Sequence, residues 1–104
     1  MAIREARVIQ RLEDIPNIGK AIAADLRRIG IQDPEGLKGQ DPYGLYEALN
    51  HLLGKRQDPC LLDVFISAVR FMEGEPPRPW WHFTAERKRT LLGDAASTVR
   101  KKRG

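Results

Sequence analysis

Apolar residues recur at helical spacing through most of the chain, and proline or glycine stands where the recurrence stops. From Ala2 to Leu12, the residues Val8, Ile9 and Leu12, continued by Ile15, form one stripe, while Arg4, Arg7 and Arg11 occupy another face. This predicts a first helix. A second is predicted from Lys20 to Ile29, with Ile18, Ile22, Leu26 and Ile29 on its apolar stripe and Gly30 as its C-terminal cap. Small Ala21, Ala23 and Ala24 suit close helix approach. Between the two lies Ile15-Pro16-Asn17-Ile18-Gly19-Lys20, a turn too short to hold another element. Pro16 fixes its own φ and disfavours helix at Ile15, while Asn17 and Gly19 are residue types that tolerate positive φ.

Beyond Ile31 the pairs Asp33-Pro34, Asp41-Pro42 and Asp58-Pro59 each read as a helix start. An aspartate accepts the orphan amides of a first turn, and proline at the first helical position lacks an amide that would be unpaired anyway. Gly36 and Gly39 restrict the first pair to a short turn or 3₁₀ piece. The second opens a helix to about Leu53, with Leu45, Leu49, Leu52 and Leu53 as its stripe and Gly54 as its cap. The third opens Leu61 to Met72, apolar around most of its circumference except at Asp63, Ser67 and Arg70, and so predicted to be the central buried helix.

From Glu75 the character changes. Pro76, Pro77 and Pro79 exclude helix interior and predict an extended run, and Trp80, Trp81 and Phe83 predict a segment folded back over the helices as a clasp. After residue 85 comes Glu86-Arg87-Lys88-Arg89 and, at the end, Arg100-Lys101-Lys102-Arg103, which predicts a basic tail that is a frayed helix at most. The expectation is an all-α protein of about five helices, with one domain over 1–85 and a disordered tail over 86–104.

Charge changes this picture in one respect. The chain carries a net charge of +4, but residues 87–104 hold seven Lys or Arg against Asp94 alone, +6, so residues 1–86 sum to −2. Basicity is therefore a property of the tail and does not by itself make the body a nucleic-acid binder. No apolar run approaches a membrane span, Met1 to Gln10 carries no signal-peptide pattern, and one cysteine excludes an intramolecular disulfide. These suit a cytoplasmic protein without membrane attachment.

The turn resembles a helix-hairpin-helix motif, whose pattern is a hydrophobic residue, Pro, Gly, a hydrophobic residue and Gly, followed by an Ala-rich helix. The match runs from about Leu12 to Leu26 and departs at Asn17, where the motif has its first glycine. The hairpin together with Asp41-Pro42-Tyr43, Asp58-Pro59-Cys60 and Pro79-Trp80-Trp81 resembles the small bacterial family of pathogenicity-locus or helix-hairpin-helix domain proteins. The hairpin region is also similar to the C-terminal domain of TfoX-type competence regulators. These resemblances imply a SAM-like helical bundle and a DNA-related role.

In such motifs turn amides and the following helix N-terminus hold a phosphate. Carried onto this chain, the contacts would be Asn17, Ile18, Gly19 and Lys20, with Arg11 and Arg27 in support. Binding of this kind reads no bases and weakens as salt rises. The expected function is thus non-catalytic, sequence-independent DNA binding; the alternative is a SAM-like protein-interaction domain without nucleic acid. Cys60 could be a nucleophile near a helix start, but His51 and His82 lie in no recognisable catalytic signature, and a small buried hydrophobe is the commoner role. His51, Cys60 and His82 match no compact metal spacing, and no cofactor is expected. The tryptophans could stack unpaired bases, or could pin the chain end onto the core.

Overall fold

The protein is described by a computed structural model that covers the backbone of residues 9–100 and the side chains of residues 9–92. Four α-helices are present among the described residues: α1 (Lys20–Arg28), α2 (Pro42–Leu53), α3 (Pro59–Met72) and α4 (Thr84–Arg100). Three 3₁₀ turns, at Leu12–Asp14, Pro34–Leu37 and Trp80–Phe83, join or precede them, and no strand occurs among the described residues.

The Asp-Pro pairs act as expected. Asp33 accepts the Gly36 amide at 3.1 Å, Asp41 that of Tyr43 at 3.0 Å and Asp58 that of Cys60 at 2.9 Å, each with proline at the start of its helix. Gly54 ends α2 in the left-handed region with φ 73°. α3 is the centre of the molecule: Leu62 to Val69 are all buried, and α2, α4 and two of the 3₁₀ turns pack on it. Phe65 and Ile66 meet Leu12, Ile15, Leu26, Leu37 and Leu49 in one core. Each such side chain contributes about 2 kcal/mol through removal from water.

Two elements differ from the sequence-based expectation. Of the first predicted helix, residues 1–8 lie outside the described residues, while 9–11 are not helical and Leu12–Asp14 form only a 3₁₀ turn. The Asp14 carboxylate accepts the amides of Gln10 at 3.0 Å and Arg11 at 2.9 Å, holding the chain in a capped turn rather than a continuous helix. Of the predicted tail, residues 86–100 belong to a helix that starts at Thr84, the backbone passing into α4 from the 3₁₀ turn at φ −60°, ψ −43°, while residues 101–104 lie outside the described residues.

Long-range ion pairs fasten α4. Asp63, fully buried on α3, accepts from Thr84 Oγ1 at 2.6 Å and Arg87 Nε at 2.8 Å. Arg70 binds the Glu86 carboxylate and lies with its guanidinium 5.8 Å from the centre of the Phe83 ring. Two of the three polar interruptions of the α3 stripe, Asp63 and Arg70, are therefore docking points for the next helix.

Candidate nucleic-acid interface

The turn before α1 is built from both faces of the core. Ile15 and Ile18 are buried on either side of Pro16-Asn17, and the Ile18 amide closes onto the Ile15 carbonyl at 3.1 Å. Asn17 takes φ 74°, the one non-glycine residue with positive φ among those described. Its side-chain amide is turned inward, donating to the Arg78 carbonyl at 2.7 Å and to Ser67 Oγ at 3.3 Å. Ser67 donates its own proton to the Val64 carbonyl at 2.7 Å, leaving a lone pair for Asn17. Asn17 thus satisfies the left-handed turn and ties it to α3 and to the proline-rich segment.

Gly19 is the N-cap of α1, with φ −97° and ψ −174°, and it supplies no side-chain cap. The amides of Gly19, Lys20, Ala21 and Ile22 have no acceptor among the described residues, the first helical bond being Ala23 to the Gly19 carbonyl at 2.9 Å. This contrasts with α2 and α3, whose first turns are closed by Asp41 and Asp58. Neither packing nor conformation requires glycine here: a Cβ on Gly19 would meet nothing within 4 Å. The unsatisfied amides and the positive end of the helix dipole face water together.

The basic residues around this end divide into engaged and available. Arg27 is held by Glu13 in a two-toothed pair at 3.0 and 2.9 Å, and Arg28 pairs with Asp25 at 3.1 Å. The Arg27 guanidinium lowers the Glu13 carboxyl to about 2. That pair braces the Leu12–Asp14 turn against the last turn of α1. Lys20 and Arg11 are exposed and make no ion pair among the described residues. Of the six residues expected to contact phosphate, Gly19 and Lys20 present an amide and an ammonium at the helix start, Arg11 stands exposed before the turn, Ile18 belongs to the core, and Asn17 and Arg27 are occupied in holding the turn's shape.

Other candidates for chemistry gain little. Desolvation pushes the Cys60 thiol above its ordinary value, and its contact with Asp58 adds to the rise, so the nucleophilic thiolate is disfavoured. No group of three potential ligands that could hold a metal occurs among the described residues. No helix among them is long and apolar enough to cross a membrane. The proline-tryptophan segment splits its aromatics: Phe83 is buried, Trp80 packs against the core, and Trp81 is 63% exposed. The sequence presents the three rings as one cluster, and no spacing in it separates the two inward rings from the outward Trp81.

Comparison with known proteins accords with these signatures. The chain is 48% identical over 83 residues to a mitomycin resistance protein, McrB, of Streptomyces lavendulae, the alignment covering 80% of this chain and 79% of the relative. No solved structure matches it. Residues 5–89 match the family described as pathogenicity locus, Cdd1, a span that takes in the turn, α1 to α3, the tryptophan pair and the ion-paired start of α4. The chain belongs to the pathogenicity-locus family.

Proposed function

We propose that this protein is a non-catalytic module that holds DNA by its phosphate backbone, without sequence preference, through a helix-hairpin-helix turn in a SAM-like arrangement. The observation that carries this reading is the open N-terminus of α1: among the described residues the amides of four exposed or half-exposed residues lack acceptors, beside a Lys20 without an ion pair, on a chain that caps the starts of α2 and α3 with aspartate. A phosphate oxygen supplies the acceptors and the negative charge that such an end lacks. Gly19 keeps the approach clear. The Asn17 and Glu13–Arg27 contacts keep the turn in shape before any ligand arrives, which lowers the ordering cost of binding.

The test is fluorescence anisotropy of a labelled duplex against rising salt, for the full chain and for Lys20→Glu. Affinity should fall linearly with salt on logarithmic axes, and Lys20→Glu should weaken binding and flatten that slope. Equal affinity and slope for the two proteins would remove the turn from the account. The relative's name supplies a cellular readout as well: expression in a mitomycin-sensitive bacterium should raise survival, and Lys20→Glu should reduce the gain.

A protein-interaction role is favoured by a different observation, the exposure of Leu52, Leu53, Leu91 and Leu92. That reading requires a stable partner captured in a Leu92-dependent way, with DNA affinity absent.

A further inference from the structure

Trp81 stands apart from the rest of the clasp. Its neighbours Trp80 and Phe83 are packed on or buried in the core, whereas the Trp81 ring is 63% exposed, held edge-on to Trp80 with ring centres 5.6 Å apart at 85°. An aromatic of this size left in water on a short, tightly packed turn is a rigid platform with an open face. The segment that carries it is joined to the turn before α1, because Asn17 donates to the Arg78 carbonyl at 2.7 Å. Trp81 is the third residue after Arg78, so their Cα atoms lie at most about 11 Å apart.

Available cations follow the ring along the helix that continues its turn. Thr84 is helical, so the 3₁₀ turn runs without a break into α4, and exposed residues recur at Trp81, Ala85, Lys88, Arg89 and Leu92. Lys88 and Arg89 form no ion pair among the described residues, unlike Glu86 and Arg87 beside them, which are committed to α3. An open aromatic face followed on the same continuous helical run by available cations suits a base and the phosphates of its strand.

We propose that Trp81 stacks an unpaired base of a single strand whose backbone phosphates are held by the α1 N-terminus and by Lys88 and Arg89. The inference rests on the phosphate-binding reading and gives that site a preferred ligand, a strand with an unpaired base, which it holds more tightly than a regular duplex. Bases inside a regular duplex are stacked on one another and offer no face to a protein ring, whereas a single strand offers each of its bases.

The test uses the full chain with labelled oligothymidine and with a blunt duplex, at one low salt concentration, for the native protein, Trp81→Ala, Trp81→Phe and Lys20→Glu. Circular dichroism of each variant establishes that it is folded, as expected for a change at an exposed position. Trp81→Ala should weaken oligothymidine binding on the order of tenfold and leave duplex binding unchanged, with Trp81→Phe between. Oligothymidine should also quench tryptophan emission in the native protein and not in Trp81→Phe. Lys20→Glu should weaken both ligands. If Lys20→Glu weakens both while Trp81→Ala weakens neither, the stacking role is wrong and phosphate binding stands. If neither DNA binds the native protein, both readings fall. Loss of self-association in Trp81→Ala, with DNA binding intact, would assign the ring to protein contact and overturn the proposal.

Discussion

At the scale of single residues, the turn depends most on Asn17. Its φ of 74° costs an ordinary L-residue about 1 kcal/mol, and its side chain joins two distant segments, Ser67 and the Arg78 carbonyl. Glycine removes the first cost but also both hydrogen bonds, while alanine keeps the cost and loses the bonds. Asn17→Gly is therefore expected to lower unfolding free energy by about 1–2 kcal/mol and Asn17→Ala by about 2–3 kcal/mol. Urea denaturation gives the order; equal losses for the two variants would show that the left-handed conformation is not maintained. Positive φ at Asn17 could be foreseen because it follows from the residue and the proline before it. Its two partners could not, because they are 50 and 61 residues away and nothing local selects them.

Glu13 makes the same region sensitive to acid. Its hydrogen bonds with Arg27 lower the folded carboxyl from an ordinary 4.5 to about 2, so the folded state binds this proton less readily than the unfolded chain. The stabilisation is complete above the ordinary carboxylate value and is lost as pH falls towards about 2. Asp14 shifts in the same direction through the Arg11 and Gln10 amides. In stepped-pH denaturation, Glu13→Gln should be less stable than the native chain at neutral pH, and the gap should close over that acidic window. A gap that stays constant down to pH about 2 would remove the Glu13–Arg27 pair as its cause.

At the scale of elements, the chain shows which signals are local. The three Asp-Pro starts and the Gly54 stop were legible because capping acts over two or three residues. α4 was not: its density of Lys and Arg resembles a solvated tail, and what fixes its beginning is Asp63, 24 residues from Arg87 and visible in the sequence only as a break in the α3 stripe. Asp63 is 0% and the Arg87 side chain 11% exposed, so removing one partner leaves a charge buried. Arg87→Met should cost about 3 kcal/mol in unfolding free energy, and the double change Asp63→Leu with Arg87→Met should recover most of it. Thermal or urea unfolding distinguishes this from a loosely attached tail, for which Arg87→Met would be indistinguishable from the native chain.

At the scale of the whole molecule, charge and structure point to a division of labour. The net +4 comes from the segment after residue 86, while the body is slightly acidic and spends Arg27, Arg28 and Arg70 on ion pairs, and the segment itself spends Arg87 on Asp63. Among the described residues, what remains for a polyanion is a small set: the open α1 amides, Lys20 and Arg11, Lys55 and Arg56 after α2, and Lys88 and Arg89 on α4. Affinity from so few contacts should be modest and strongly salt-dependent.

The central claim is that the open α1 N-terminus is kept open for a phosphate, and Gly19→Asp tests it most directly. Gly19 already has the extended N-cap conformation and room for a side chain, so aspartate can close the end as Asp41 and Asp58 do on α2 and α3. The substitution should raise unfolding free energy by a few tenths to about 1 kcal/mol while abolishing DNA binding in low-salt anisotropy, because the new carboxylate takes the amides and repels phosphate. A Gly19→Asp protein that is folded and binds DNA as tightly as the native chain would contradict the claim.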